Sequence, residues 1–297
     1  MTMDAMLILA VLAMLVAASV FILYQGEEEA DLRVGMLKTV DTVHPLIAKE
    51  RGYFEDEGLS VSVHSFGTSP ALAEAIAAGE IDVAYMSVVP AGIWKVRGTD
   101  IVMLAGASKG GDMLCTRDGR TSGTIALSNK GTFTQVLYTY YVQDRYDFEP
   151  IHGIEPADMA TALLVTKDVD AAFVWEPFAS QIEENGGECI FDTGAEWEKE
   201  KGRKYQRNVL VVSGEVASDP LLVQKLMRIN QRTVEFLNQN GSESAVAEAM
   251  NIKPLAKKRV DYSTDLDWES MVELWGEARD NGYLERIPQR SEMVYGG

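Results

Sequence analysis

Residues 64–90 read HSFGTSPALAEAIAAGEIDVAYMSVVP. The stretch opens on the end of a strand and passes through Gly67, Thr68, Ser69 and Pro70. It continues as a short Ala/Leu/Ile helix and closes on the buried strand IDVAYM. Proline suits the first helical turn, where its missing N–H has no partner to lose. That placement makes Ser69 the expected N-cap and Gly79 the expected C-terminal stop. Gly67 reads as the residue that lets the backbone turn tightly and approach a ligand. In a parallel sheet this turn lies at the carboxyl end of a strand, where open α/β sheets hold ligands. A helix N-terminus there offers free N–H groups to a small anionic or polar ligand.

The strand–helix rhythm extends in both directions. Strands are expected at 32–37, 59–66, 81–86 and 101–107, with helices over 43–58, 70–78 and 91–98 between them. The rhythm restarts with strands at 123–128, 169–175, 187–192 and 207–214 and helices over 131–144 and 158–166; everything after Pro220 reads as helical. Alternation of this kind predicts an α/β fold with mainly parallel pairing. One internal echo says more. EIDVAYMSVVPA (80–91) and DVDAAFVWEPFA (168–179) match at a constant offset of 88, so that Asp82 faces Asp170 and Ser87 faces Trp175. The turns upstream, FGTSP (66–70) and KGTFT (130–134), echo as well. Two lobes built on one plan follow: residues 32–110 and 208–297 in the first, 111–207 in the second. The crossings are expected near 107–120 and 203–210.

The net charge of -18 disfavours nucleic acid and anionic membrane surfaces as partners. It also means that any anionic ligand needs local help; the two capped turns are expected to provide it without lysine or arginine. Cys115 and Cys189, the only two cysteines, read as free buried thiols, with one disulfide the alternative if the domain lies outside the cell. Three scattered histidines make no metal-binding spacing, and no cofactor is expected. Residues 5–24, AMLILAVLAMLVAASVFILY, carry no charge and are long enough to span a bilayer. After a short tail (1–4) they read as a single-pass membrane anchor with the soluble part outside, or as a secretory signal that would release it. An acidic stalk over 25–31 follows. The basic run AKKRV (256–260) reads as a solvated face.

The succession GYFEDEGLSVSV, GTSPALAEAIAAGEIDVAYMS and PADMATALLVTKDVDAAFVWEP resembles the nitrate/sulfonate/taurine class of ABC-transporter substrate-binding proteins, a pattern shared by thiamine-pyrimidine binding proteins. The resemblance covers about residues 32–240. It implies a two-lobed periplasmic-binding-protein fold of type II, a ligand cleft, hinge closure, and delivery of a small solute by a monomer to an ABC permease. It also implies cleft-facing positions at Lys38, Thr39, Asp41, Thr42, Gly67, Thr68, Ser69, Ser87, Thr132, Thr134, Trp175 and Glu176. Lys167 stands where such proteins often carry glycine, and RDGRTSGT (117–124) is shorter than their usual basic segment. The chain contains no SxxK, HExxH, GxxxxGK[ST] or GxGxxG motif. A pyrimidine-related enzyme on the same fold, with His64 as its best candidate group, is one alternative. A membrane-tethered sensor domain is another.

Overall fold

The computed structural model describes residues 30–255, 257 and 259–297. The expected anchor at 5–24 lies outside them. Within them no helix is long and apolar enough to cross a membrane.

In chain order the strands are β1 (Leu32–Leu37), β2 (Val61–Phe66), β3 (Val83–Ser87), β4 (Ile101–Lys109), β5 (Asp112–Thr116) and β6 (Ser122–Ala126). They continue with β7 (Asp147–Ile151), β8 (Ala171–Trp175), β9 (Glu188–Asp192), β10 (Gln206–Ser213) and β11 (Asp261–Tyr262). They form two sheets, one ordered β11-β4-β10-β3-β1-β2 and the other β7-β6-β8-β5-β9. The chain leaves the first sheet at Gly110 and Gly111, both at positive φ, and returns to it with β10.

Each sheet is mixed, which corrects the expectation of mainly parallel pairing. β1, β2 and β3 run parallel, as do β6, β7 and β8. β10 runs against β3 and β4, and β5 runs against β8 and β9. Parallel neighbours need a long crossover. The strands joining the two lobes have none, since β5 follows β4 after two glycines.

The echoed segments fill equivalent places. Asp82, just before β3, accepts from the Arg33 backbone N–H (2.8 Å) and from its guanidinium (2.9 and 2.6 Å). Asp170, just before β8, accepts from the Thr124 backbone N–H (3.0 Å), from Arg117 (2.9 Å) and from Arg120. In each lobe the aspartate ties the echoed strand to its parallel neighbour. One apolar cluster runs through both lobes, from Leu72 and Met86 to Leu114, Phe133 and Trp275. Separate clusters pack the outer faces, around Val34 and Leu210 in one lobe and Met113 and Met159 in the other.

Four local expectations change. Thr68, not Ser69, caps the helix Ser69–Ala77, its hydroxyl accepting from the Ala71 N–H at 3.3 Å. Pro70 takes the second helical position, which moves the cap back by one residue. The single helix expected over 131–144 becomes Phe133–Leu137 followed by a π-helical turn, Tyr138–Val142. Thr139 donates there to the Gln135 carbonyl at 2.7 Å, a back-bond that bends helices. Cys115 and Cys189 form a disulfide and are not free thiols. They are opposite partners on the adjacent strands β5 and β9, a register that spacing alone does not reveal. After Pro220 the helices Pro220–Leu237, Ser242–Met250, Trp268–Asp280 and Arg290–Met293 are interrupted by β11, which pairs with β4.

Candidate functional site

A cavity of about 60 Å³ opens where strands from both sheets end. Leu37 and Thr39 reach it from the end of β1, Gly67 and Thr68 from β2, and Ser87 from β3. Ser128 and Asn129 follow β6, and Trp175 closes β8. Four helices start at its wall. Thr68, Ser87, Thr132 and Glu155, the residues preceding Ser69–Ala77, Val88–Val96, Phe133–Leu137 and Pro156–Leu164, all line it. Hydroxyls therefore dominate the polar lining, and Phe133 and Trp175 supply the aromatic part.

The decisive side chain is Arg207, at the start of β10. Because β10 runs against β3, its first residues lie at the same end as the carboxyl termini of the parallel strands. Arg207 lines the cavity yet is only 4% exposed. Its Nε donates to Asp41 Oδ2 and its Nη1 to Asp112 Oδ2. Its guanidinium carbon lies 5.1 Å from the Phe133 ring centroid and 5.4 Å from that of Trp175, within cation–π range of both. Nη2 makes no hydrogen bond among the described residues, so a guanidinium with donors to spare faces the cavity.

The supporting groups come from both lobes. Asp41 also accepts from Asn208 Nδ2 (2.8 Å), whose Oδ1 accepts from Ser87 Oγ (3.0 Å). Asp112 accepts from the Tyr205 hydroxyl (2.9 Å), which lies 2.8 Å from Thr193 Oγ1. Burial pushes the Asp112 carboxyl up to about 6, against the pull of Arg207 and the Tyr205 hydroxyl. Burial alone would lower the Arg207 pKa, but the Asp112 and Asp41 charges outweigh it and keep the guanidinium charged.

Of the twelve residues implied by the resemblance, Thr39, Gly67, Thr68, Ser69, Ser87, Thr132, Thr134 and Trp175 line this cavity. The other four do not. Lys38 is exposed and borders a different groove, beside Met36, Leu46 and Phe178. Thr42 is turned inward, donating to the Leu37 carbonyl at 2.9 Å. Asp41 stands behind Arg207 rather than on the wall. Glu176 is 1% exposed and caps the helix Phe178–Glu184, accepting from Ser180 N (3.1 Å) and Oγ (3.0 Å). It also accepts from Arg259 at 2.7 Å, and Arg259 reaches Glu183 at 2.7 Å as well. The basic run at 256–260 is thus not simply a solvated face, since Arg259 joins the C-terminal segment to the second lobe. Gly67 is not at positive φ, and a Cβ there would meet nothing within 4 Å. Its role on the wall is to leave space, not to permit a turn. Gly131, by contrast, has φ +78°. His64 is exposed on β2, its Nε2 2.9 Å from Ser62 Oγ and away from the cavity.

Sequence reasoning missed Arg207, Asp112, Ser128 and Asn129. No local signal singles out Arg207: a charged residue and an amide opening the apolar strand RNVLVVSG (207–214) read as an ordinary solvated strand start.

Two mixed α/β sheets with a cavity between their strand ends define a periplasmic-binding-protein-like fold. Comparisons with known proteins agree. Residues 25–133, a little over a third of the chain, match the model of the NMT1-like family. A Brucella abortus (strain 2308) protein, provisionally named a binding protein, is 22% identical over 251 residues, covering 80% of this chain and 77% of its own length. The periplasmic aliphatic sulphonate binding protein SsuA of Escherichia coli superposes with a TM-score of 0.69 at 16% identity, over 89% of this chain and 91% of its own. The periplasmic nitrate-binding protein NrtA of Synechocystis PCC 6803 gives 0.68 at 14% identity, over 86% and 83%.

Proposed function

We propose that this chain is an extracytoplasmic solute-binding protein that captures a small anionic solute between its lobes and presents it to an ABC permease. The observation that carries the reading is Arg207: charged, buried, flanked by two aromatic rings, with unspent donors on the cavity wall. Helix N-termini from both lobes add oriented N–H groups around it. Two structural neighbours bind a sulphonate and nitrate, small anions of the same chemical class. The cavity suits a ligand of few non-hydrogen atoms, such as an alkanesulfonate, taurine or nitrate. The cross-strand disulfide fits an oxidising compartment. Residues 5–24 would hold the domain at the membrane surface. Among the described residues the cavity wall carries no hydrogen-bonded nucleophile–base pair, and Asp41 and Asp112 behind it hold Arg207, so binding without turnover is the expected activity.

The test is a thermal-shift and calorimetric screen of the soluble part against methanesulfonate, taurine, nitrate, bicarbonate and thiamine pyrimidines. A ligand at a hundred times its Kd adds about 2.7 kcal/mol of stability. Stabilisation by one of the small anions, with the compound recovered unchanged, is the expected result. Stabilisation by a neutral heterocycle alone would overturn the anion assignment.

A further inference from the structure

The group around Arg207 carries more negative charge than an anion site should. One guanidinium serves two carboxylates, Asp41 and Asp112, which are 2% and 0% exposed. On each of them the second oxygen, Oδ1, is buried and has no hydrogen-bond partner among the described residues. Among the described residues, the groups facing the pair add no further positive charge. From the segment leading into β10 comes Tyr205, whose phenol is held neutral by burial and by Asp112. From the helix His44–Glu50 comes His44, which burial pushes down to about 4 and so keeps neutral at physiological pH. From β11 comes Tyr262, raised by burial and by Asp41. Asn208 and Thr193 are uncharged, and Glu155 at the cavity wall is a third carboxylate.

We infer that the cavity takes up a univalent anion together with a proton, which lodges on Asp112. The inference rests on the solute-binding reading and sharpens it. An anion on Arg207 Nη2 would bring a third negative charge to a single buried cation. Like charges at close range in a buried site favour the neutral acid on one of them. The geometry offers that proton a place, since two carboxylate oxygens are already buried and unpartnered. Burial and Asp41 already hold Asp112 above the ordinary carboxylate range, so the proton is taken up near neutral pH. The bound anion raises Asp112 further. The sign follows: affinity strengthens as pH falls from 8 towards 6 and levels off below, where the free protein is already protonated. The slope reaches about tenfold per pH unit for one proton. A divalent anion would need two protons and is rejected.

The experiment is calorimetric titration of the protein with methanesulfonate, which stays a monoanion throughout, in two buffers of different ionisation enthalpy between pH 6 and 8. The expected result is uptake of up to one proton per anion at pH 7 to 8, and no binding of sulfate. In D112N the proton uptake that accompanies methanesulfonate binding should disappear, whatever affinity remains; should that variant not fold, the two-buffer comparison on the parent protein decides the matter. Methanesulfonate binding with a flat pH profile and no proton uptake would overturn this inference and leave the solute-binding reading intact. Failure of methanesulfonate, nitrate and taurine to bind at any pH would remove both.

Discussion

The two lobes have one plan and unequal contents. β2-β1-β3-β10-β4 in the first sheet corresponds strand for strand to β7-β6-β8-β5-β9 in the second. Asp82 and Asp170 hold equivalent backbone N–H groups, those of Arg33 and Thr124. The lobes diverge at the ends of the matched strands. Ser87 closes β3 and Trp175 closes β8; opposite them in register stand Asn208 on β10 and Asp112 on β5. Arg207 precedes Asn208 and pairs with the Asp112 of the other lobe. The shared plan thus sets the frame, and the cavity is built at the positions where the plan is broken. A symmetric pair of hydroxyl-lined turns could hold a polar ligand. The asymmetric pairing of Arg207 with Asp112 adds a charge and ties the lobes together at the same point.

Removing that asymmetry should have the largest effect. R207A leaves two buried carboxylates without their cation, which typically costs about 3 to 5 kcal/mol of stability. It should also weaken anion binding by about 2 to 5 kcal/mol. Urea unfolding and calorimetry measure the two separately. R207K keeps the charge but loses the planar fork, so it should recover part of the stability and little of the affinity. Full affinity in R207A would place the ligand elsewhere.

The disulfide is the second asymmetry. Among the described residues only the second lobe is stapled, by Cys115–Cys189 across a separation of 74 residues. Chain-entropy arithmetic for such a loop gives about 4 kcal/mol, an upper figure since measured values run lower. Reduction should therefore loosen the second lobe first. Hydrogen exchange should show protection lost on β5, β8 and β9 before β1 and β3. Equal loss in both sheets would mean that the two lobes unfold as one cooperative unit.

How much of this was legible in the sequence varies with the range of the interaction. The echo at 80–91 and 168–179 is visible because each copy is a local strand with its own aspartate. The turn residues are visible because capping is a matter of three or four neighbours. Eight of the twelve implied site residues do line the cavity. What stayed hidden depends on register between distant segments. Asp41, Asp112 and Arg207 lie far apart in the chain and meet only once β10 crosses back antiparallel. Glu176 follows the wall-lining Trp175, but alternation in the strand exit turns it inward onto the helix start, where it accepts from Ser180 N. The disulfide required the register of β5 against β9.

The matched aspartates test the shared part of the plan. For Asp82, burial would raise the pKa, but the Arg33 hydrogen bonds outweigh it and hold the carboxyl below its usual value. For Asp170 the Thr124 backbone hydrogen bond does most to lower it, with Arg120 and Arg117 adding to it. A depressed folded-state pKa stabilises above the unfolded value of about 3.9 and is lost as pH falls through the folded one. D82A and D170A should each cost about 1 to 3 kcal/mol at pH 7. Denaturation series at falling pH should bring each variant towards the parent protein as pH falls through the depressed folded-state pKa. A gap that persists in acid would assign the loss to packing rather than charge.

The smallest effect separates the two capped turns. Thr68 and Thr132 each accept one N–H, from Ala71 and Gln135, both at 3.3 Å, so T68A and T132A should each lose about 1 kcal/mol. The turns are not equivalent beyond that. Thr132 Oγ1 also donates to the Asn129 carbonyl (2.9 Å) and lies 2.9 Å from Ser128 Oγ, and Ser128 and Asn129 are both on the cavity wall. Thr68 has no such second contact among the described residues. T132A should therefore lose more stability than T68A, and it should disturb the cavity wall where T68A leaves it in place. In a binding titration the affinity loss of T132A should exceed that of T68A even after correction for folded fraction. Equal losses in both assays would show that the turns act only as helix caps and that the second lobe contributes no shaped wall through Ser128 and Asn129.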